Sequence, residues 1–423
     1  MRKITTHPLL GLFRIRDFSL LWLGSTVSLF GDGIYFVAIA WEVYRISSSP
    51  AALGAVGVAF SLPQILFLLV SGVVSDRVNR RVLMITASAT SALAIGLLGV
   101  LVELRAEQLW MIIALVAVYG ASQAFFLPAS VAVTPTLVPA ELLPRATAMN
   151  QLLQPLTTGL IGPAVGGLLI AWGGTGVAFL ADGATFLFAV VSMALMSGGA
   201  VKRTAVGDSM PKASALREAR DAIGFVRSTP WIWAGLLAAA VANVALTGPL
   251  QILSPYIVKY NLHGGATDLG FIFAVGGVGA IATSIYIALR GTPRRAVTSI
   301  FLSWGVATFA LVPIGFVTHS WQLMIISLVI AAGLQVGNLL WFTLMGTLVP
   351  NDMLGRVSSL DVMISFSLTP LSSAMTGPAA VLFGVRNTLI GAGLIGGAVT
   401  VAALFIRGVR DPERKAAVAP TSA

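Results

Sequence analysis

Three acidic residues stand in stretches that are otherwise nearly free of charge, and the first of them is the residue best suited to chemistry. Asp32 follows Phe18 by about 14 residues, roughly 21 Å along a helix, so it should lie near the middle of an apolar segment. A carboxyl group in hydrocarbon costs about 3 kcal/mol or more and is by default a functional candidate. It can carry a proton between two sides of a barrier and, when ionised, attract a cation. The alternative is a structural acid that is hydrogen-bonded to a neighbouring helix.

The other two acids are Asp182 and Asp361. Asp361 falls in the first turns of its helix, so we expect it to pair with Arg77 or Arg80 in an inner gate, with a substrate site as the alternative. Asp182, roughly 12 Å from the outer end of its helix, either caps a helix or faces a cavity, and the sequence does not decide between these. We group it with Asp32 as a proton-coupling or substrate residue.

Enzymatic and metal sites find no support in the residue types. The three histidines, His7, His263 and His319, are isolated, and the chain has no cysteine, so we expect no metal site. No glycine loop of the phosphate-binding type is present, so an ion gradient is the expected energy source. We therefore predict a protein without cofactor that is not an enzyme.

The composition explains which elements must position these acids. Of 423 residues, 57% are hydrophobic and 10% are charged, whereas soluble proteins carry about 25% charged residues. The charge-free runs, together with residues 18–44, divide into twelve segments of the length that crosses roughly 30 Å of hydrocarbon. We predict an all-α membrane protein with twelve transmembrane helices.

Basic residues indicate the orientation of these helices. If both termini lie inside, only four of the 26 Lys and Arg residues fall in outer segments, and the other 22 lie in inner ones. This bias predicts a multi-pass protein of the cell inner (plasma) membrane with both termini in the cytoplasm. The net charge of +10 then reflects topology and contact with anionic lipid. Because the basic residues are dispersed, no nucleic-acid partner is expected.

An internal repeat organises the chain. Residues 136–145, TLVPAELLPR, recur 211 positions later as residues 347–356, TLVPNDMLGR, and the same offset relates Asp32 to Asn243. Two six-helix halves related by duplication are the economical interpretation. The late part of the central segment has apolar residues at helical spacing, which favours either an amphipathic helix on the inner surface or a solvated linker. The predicted domains are an N-terminal bundle (1–197), a cytoplasmic linker (198–228), a C-terminal bundle (229–408) and a cytoplasmic tail (409–423).

The loop after the second predicted helix carries residues 72–81, GVVSDRVNRR. It resembles the major facilitator superfamily signature G-x-x-x-D-R-x-G-R-R/K, with Asn79 in place of the second glycine. The resemblance implies two pseudo-symmetric six-helix bundles, close helix approach at Gly72, and Asp76 at the positive N-terminal end of helix 11. The alternative is a charge cluster that only sets topology. The implied inner latch comprises Gly72, Asp76, Arg77, Arg80 and Arg81.

A glycine-rich segment in the fifth helix, residues 159–167, reads GLIGPAVGG. It looks like the G-x-x-x-G-P-x-x-G-G motif of drug:proton antiporters, with the first glycine one residue nearer than usual, and that motif tends to mark exporters. Its glycines leave a groove for another helix, and its proline bends the helix between the halves. The alternative is that these residues serve only the close packing of an ordinary pair of helices. The motif residues are Gly159, Gly162, Pro163, Gly166 and Gly167.

Two further features refine the resemblance. Asp32 followed by Trp41 to Tyr44, WEVY, looks like the macrolide-efflux and siderophore-exporter branch, in which an Asp in helix 1 precedes W-x-V-Y. Many antiporters of the superfamily also carry an Arg in helix 4. No basic residue lies between Gln108 and Ala140 here, so proton coupling must use another group.

A central cavity would be lined by polar anchors and aromatic walls, a combination that suits amphiphiles. Each aromatic residue could instead serve helix packing alone. The candidate lining residues are Phe36, Gln64, Gln123, Phe126, Asn150, Gln154, Asn243, Gln335, Asn338, Trp341 and Phe366.

Together these features predict a monomeric secondary transporter that exports hydrophobic or amphiphilic compounds, as a drug or multidrug exporter, in exchange for protons by alternating access. Its expected partners are a small amphiphilic substrate, protons and the lipid bilayer. The alternatives are uptake, dedicated transport of one metabolite, siderophore or lysolipid, or a transport-dead sensor or scaffold that keeps the fold.

Overall fold

Apolar segments of this length fold as helices, because a backbone in hydrocarbon must satisfy its own hydrogen bonds. The computed structural model of the chain describes residues 11–197 and 212–418, and these ranges contain helices and no strand. They include ten helical runs long and apolar enough to cross a membrane. One run, Arg145–Ala194, is two spans joined at Gly174, whose φ of 86° breaks the helix. Because Asn351 to Phe383 forms a further span from two shorter helices, the described ranges hold the twelve predicted spans.

The first half folds into six helices and a π-helical turn. Within the fifth span, the π-helical turn Pro155–Ile161 replaces α-helical hydrogen bonding and includes the first residues of the glycine-rich motif. Pro155 is the first residue of the turn. The helices are α1 (Arg16–Ile46), α2 (Pro50–Arg77), α3 (Arg80–Glu103), α4 (Leu109–Leu137), α5 (Leu143–Gln154) and α6 (Gly162–Ala194).

The second half is more interrupted, and Pro249, Pro255 and Pro313 lie at its breaks. Its first helix, α7, covers the described end of the predicted linker, and residues 198–211 of that linker lie outside the described ranges. The helices are α7 (Lys212–Ser228), α8 (Pro230–Gly248), α9 (Ser254–Tyr256), α10 (Ala266–Arg290), α11 (Ala296–Phe309), α12 (Leu311–Ile314), α13 (Ser320–Leu348), α14 (Asn351–Ser367), α15 (Thr369–Phe383), α16 (Val385–Ala402) and α17 (Asp411–Val418), with π-helical turns at Pro249–Leu253 and Ile257–Asn261.

The chain forms two compact units, each with its own apolar core. Of the described residues, the first unit holds 11–48, 55–197 and 263–274, and the second holds 49–54, 212–262 and 275–418. The start of α2 therefore groups with the second half, and the first turns of α10 group with the first. The first core includes Leu12, Phe18, Met84, Val133 and Met193. The second includes Trp231, Ile232, Phe301, Trp304 and Val357.

Candidate functional site

Close packing of α1 against α6 places Asp182 beside Asp32. A Cβ at Gly31 would collide with the Thr185 hydroxyl and with Oδ1 of Asp182, so a larger residue there would have to displace both side chains. Asp182 therefore lies against the backbone of the residue that precedes Asp32. The two carboxyl groups are close enough to interact electrostatically. The structure thus brings together the two acids that were grouped from sequence, and both belong to the first unit.

The Asp32 carboxyl group is held by a chain of hydrogen bonds from α4. The Tyr119 hydroxyl donates to Oδ1 of Asp32, and Nε2 of Gln123 donates to the Tyr119 hydroxyl at 3.2 Å. Tyr119 and Gln123 are four residues apart, so they share one face of the helix. Gln123, a candidate from the sequence, therefore belongs to this hydrogen-bond chain, whereas sequence reasoning missed Tyr119. The available signal was a tyrosine one turn before a membrane glutamine.

Asp182 differs from Asp32 in its access to water. It has no exposed surface, and its neighbour Thr185 donates one hydroxyl to both the backbone carbonyl, at 2.7 Å, and Oδ1, at 3.2 Å. Its Oδ2 is buried and has no hydrogen-bond partner. An ionised oxygen in that setting is costly, so Oδ2 offers a place to hold a proton. Asp32, by contrast, is half-buried and can be reached.

Aromatic rings close the space around the acid pair. Tyr119 contacts Tyr35 edge to face at a centroid distance of 5.0 Å, Phe60 at 5.3 Å and Phe186 at 5.7 Å. The predicted cavity residue Phe36 lies 5.9 Å from Tyr35, also edge to face. These rings come from α1, α2, α4 and α6. They keep water from Asp182 and leave Asp32 as the accessible member of the pair.

The glycine-rich motif packs directly against the part of α1 that carries Asp32. A Cβ at Gly162 would lie 2.6 Å from the Phe30 carbonyl oxygen and 2.8 Å from Cα of Gly33. A Cβ at Gly166 would lie 2.9 Å from Cα of Ile34. The two backbones therefore touch on both sides of Asp32, a contact that side chains would prevent.

The last glycine of the motif faces a different helix. A Cβ at Gly167 would lie 2.7 Å from the Ala266 carbonyl oxygen and 3.2 Å from Cα of Gly270, in the first turns of α10. A Cβ at Gly270 would in turn collide with the carbonyl oxygen of Pro163. The start of α6 thus contacts both α1 and α10, whereas Gly159 lies half-buried in the preceding π-helical turn.

The signature loop is anchored to main-chain carbonyls of the first unit. Nε of Arg81 donates to the Met193 carbonyl oxygen at 2.9 Å, near the end of α6. Nη1 of Arg80 donates to the Ala132 carbonyl oxygen in α4 at 3.1 Å. Asn79, the departure from the signature, caps α3 by accepting a hydrogen bond from the Arg81 backbone N–H at 3.0 Å.

The remaining latch residues are less well defined. The side chains of Asp76 and Arg77 lie outside those that the structure describes, so their latch contacts stay a prediction. Gly72 is exposed, and among the described residues nothing lies within 4 Å of a Cβ built there. The expected close helix approach at Gly72 therefore stays a prediction.

A second set of predicted residues meets in the second unit around a cavity of about 250 Å³. Asp361 lines it with only 6% of its surface exposed. The surrounding helices are α8, α11, α13 and α14. The other lining residues are Ala239, Ala242, Asn243, Trp304, Leu334, Asn338, Trp341, Phe342 and Ser365.

Several candidates from the sequence lie elsewhere. Gln335 donates to the Ser284 hydroxyl at 2.9 Å and so joins α13 to α10. Phe126 packs on the first core, and Gln64 is half-buried in α2. Asn150 and Gln154 are exposed. The Phe366 side chain lies outside those described, and the described residues include no cluster of three or more acidic or histidine side chains that could hold a metal ion.

A cluster of charges that sequence reasoning missed lies near the end of α1. Glu42 has no exposed surface; it pairs with Nη2 of Arg45 at 2.6 Å and accepts a hydrogen bond from the Thr175 hydroxyl. Arg45 also pairs with Glu107, just before α4. The i, i+3 spacing of Glu42 and Arg45 was the available signal. These contacts link α1 to α6 and to the segment just before α4.

Comparison with known proteins relates this chain to transporters. Residues 8–422 match the model of a family described as transmembrane secretion effector. The chain is 26% identical over 404 residues to the multidrug efflux pump Tap of Mycolicibacterium fortuitum, covering 90% of this chain and 93% of the relative. It is also 25% identical over 387 residues to the enterobactin exporter EntS of Citrobacter koseri, and this match covers 88% of this chain and 86% of the relative.

A solved structure supports the fold. A bacterial homologue of the iron transporter ferroportin, crystallised in an inward-facing state, superposes with a TM-score of 0.68 over 93% of this chain and 99% of its own. The sequence identity is 17%, so this likeness concerns the fold alone.

Proposed function

The chain belongs to the transmembrane secretion effector family of the major facilitator superfamily, as its motifs predicted, and from this we propose that it exports a hydrophobic or amphiphilic compound in exchange for protons by alternating access. It is a multi-pass membrane transporter and not an enzyme. The observation that carries the proposal is the close pair formed by the half-buried Asp32 and the fully buried Asp182 within the first unit.

The two acids have complementary properties. Asp32 is reachable and fixed by Tyr119, and Asp182 is sealed and has an unpartnered oxygen. A proton binds to Asp32 from one side of the membrane and is released to the other side. The nearby Asp182 raises the free-energy cost of ionising both carboxyl groups at once. This arrangement provides proton exchange without the helix-4 arginine that many antiporters use.

The packing of α6 supports a route from protonation to movement. Gly162 and Gly166 touch α1 beside Asp32, and Gly167 touches α10. A shift of α1 when Asp32 gains or loses a proton therefore displaces α6 and the start of α10 together. The glycines act as the sliding surface, since no side chain locks the backbones in one register.

The relatives support the proposed direction of transport, and the charge distribution supports the proposed location of the protein. A multidrug efflux pump and an enterobactin exporter align with most of the chain, and this favours export. The inner bias of Lys and Arg supports a location in the plasma membrane with both termini in the cytoplasm. We propose that it works as a monomer on small amphiphiles, with protons and the bilayer as its other partners.

Everted vesicles that contain the protein test this function. An imposed proton gradient should drive uptake of a fluorescent amphiphile such as ethidium into the vesicles, and a protonophore should abolish it. Uptake that survives the protonophore would contradict proton exchange. A competition panel then separates a broad exporter from a dedicated one, because a dedicated transporter is inhibited by a single compound class. Substrate-driven proton release from purified protein would exclude a transport-dead scaffold.

A further inference from the structure

The cavity of the second unit contains a buried acid that the proton-exchange proposal does not use. Asp361 is 6% exposed and lines the cavity wall on α14. No basic side chain among the described residues forms a salt bridge with Asp361. A buried carboxylate without a cation is costly, and a bound cation is one means of compensating it.

The walls of the cavity are suited to a cation with an apolar body. The rings of Trp304 and Trp341 lie 5.9 Å apart at an interplanar angle of 50°. Phe342 adds a third ring to the lining. Indole faces attract cations within about 6 Å of their centroid, and they also pack against apolar groups.

Polar groups in the cavity remain available to a ligand. Nε1 of Trp304 donates to Oδ1 of Asn338 at 3.1 Å, which directs the Asn338 amide nitrogen away from Trp304 as a donor. The buried Nε1 of Trp341 lies within interacting distance of the Asp361 carboxyl group. The indole N–H therefore faces the acid at the cavity wall, and the remaining lone pairs of the carboxyl group are available to a ligand.

The internal repeat shows that the two halves carry an acidic residue at different positions of the repeat. Asp32 and Asn243 are 211 residues apart, and so are Asn150 and Asp361. Each half therefore carries one acid and one amide at equivalent positions, with the acid on the first helix of one half and on the fifth helix of the other. In the second unit, both equivalent residues, Asn243 and Asp361, line a single cavity.

We propose that this cavity is the subsite for a protonated amine or quaternary ammonium group of the transported compound, with Asp361 as its counter-ion and Trp304 and Trp341 as its walls. A volume of about 250 Å³ accepts the cationic head and one ring, and the rest of the compound extends beyond it. The assignment rests on the proposed transport function only in treating the ligand as the substrate. It separates substrate recognition, in the second unit, from proton exchange, in the first.

Binding to the purified full-length protein in lipid nanodiscs tests the subsite. The probes are phenyltrimethylammonium and its uncharged isostere tert-butylbenzene, and the readout is quenching of tryptophan fluorescence. Asp361→Asn should weaken cation binding about 10-fold or more while leaving the binding of the uncharged isostere unchanged. Asp221→Asn, at an exposed position of α7, is the matched control and should bind both probes as the wild type does.

Phe342→Ala provides a second variant with little risk to folding, because the side chain is 61% exposed. It should weaken binding of both probes, which locates them in this cavity. Unchanged cation binding by Asp361→Asn, or an equal loss for both probes, would overturn the assignment.

The proton proposal can fail separately. Asp32→Asn should retain cation binding, and if it also retains proton-driven transport, then proton exchange at Asp32 is wrong while the subsite stands.

Discussion

The hydroxyl of Tyr119 donates a hydrogen bond to Oδ1 of Asp32, which lies 87 positions earlier in the chain. The bond joins the middle of α4 to the middle of α1, and Gln123 extends it by a second donor. Asp32 is thereby held against the ring cluster, while its partner Asp182 is buried behind it. Each of these residues has a distinct structural role, and each role can be tested by its own substitution.

Replacement of Asp32, the proposed proton-carrying residue, should abolish proton exchange without unfolding the protein. Asp32→Asn keeps the size of the side chain but cannot take up and release a proton, so proton-driven efflux into everted vesicles should fall to background. The thermal transition of the purified protein should stay within a few degrees of the wild type. Asp352→Asn, at an exposed position of α14, serves as the control. Normal transport by Asp32→Asn would refute the carrier role.

Removal of the tyrosine hydroxyl should slow transport less severely. Tyr119→Phe keeps the ring contacts but leaves Asp32 without the donor that positions it, and a hydrogen bond to a charged group contributes about 1.5–3 kcal/mol. We expect a decrease of about 10-fold or more in the initial rate of efflux, with the fold retained. Tyr286→Phe, at a position 62% exposed, should have no effect. Equal rates for both variants would show that Tyr119 does not position the acid.

The close approach of α1 and α6 predicts a stability difference between two glycines. Gly31→Ala places a methyl group against Thr185 and Asp182, and such overpacking costs about 1–3 kcal/mol. Gly96→Ala, in α3 of the same unit, meets nothing within 4 Å and should be neutral or slightly stabilising. Thermal unfolding of both variants in the same detergent makes the comparison. Similar transitions for the two would contradict the packing.

The contact between α6 and α10 predicts a defect in turnover that spares ligand binding. Gly167→Ala brings a methyl group to 2.7 Å from the Ala266 carbonyl oxygen, so the two helices must separate or tilt. We expect slower efflux with unchanged binding of phenyltrimethylammonium. Gly270→Ala should reproduce the defect from the opposite helix, whereas Gly391→Ala, which meets nothing within 4 Å, should not. A defect in only one of the first two variants would argue against a shared contact.

The absence of native cysteine makes the orientation directly measurable. Ala106→Cys and Ala140→Cys introduce thiols at exposed positions in two successive loops, and Lys and Arg bias places the first outside and the second inside. A membrane-impermeant maleimide added to intact cells should label only Ala106→Cys, and everted vesicles should reverse the result. Labelling of Ala140→Cys in intact cells would invert the proposed topology.

Much of the architecture could be predicted from the sequence because it depends on local properties. Hydropathy and charge along 423 residues indicate the twelve spans and the orientation of the chain, since each helix must satisfy its own backbone in hydrocarbon. The identity of the acids followed for the same reason, because charge inside an apolar run is visible without any knowledge of neighbours. The motif at residues 159–167 likewise indicated a close helix contact, although it did not identify the helices involved.

The partners of those residues depended on how the helices are rotated and crossed. Asp182 meets Gly31 because the absence of a side chain there lets α1 approach α6. Tyr119 reaches Asp32 from a third helix, α4. Asp361 lines a cavity with Asn243, a contact between helices that are distant in sequence. The groups that carry charge into the membrane, and the segments that hold them, could be predicted from the amino-acid order alone. The group that each one faces depends on the folded arrangement, because interhelical contacts are set by how closely distant backbones approach.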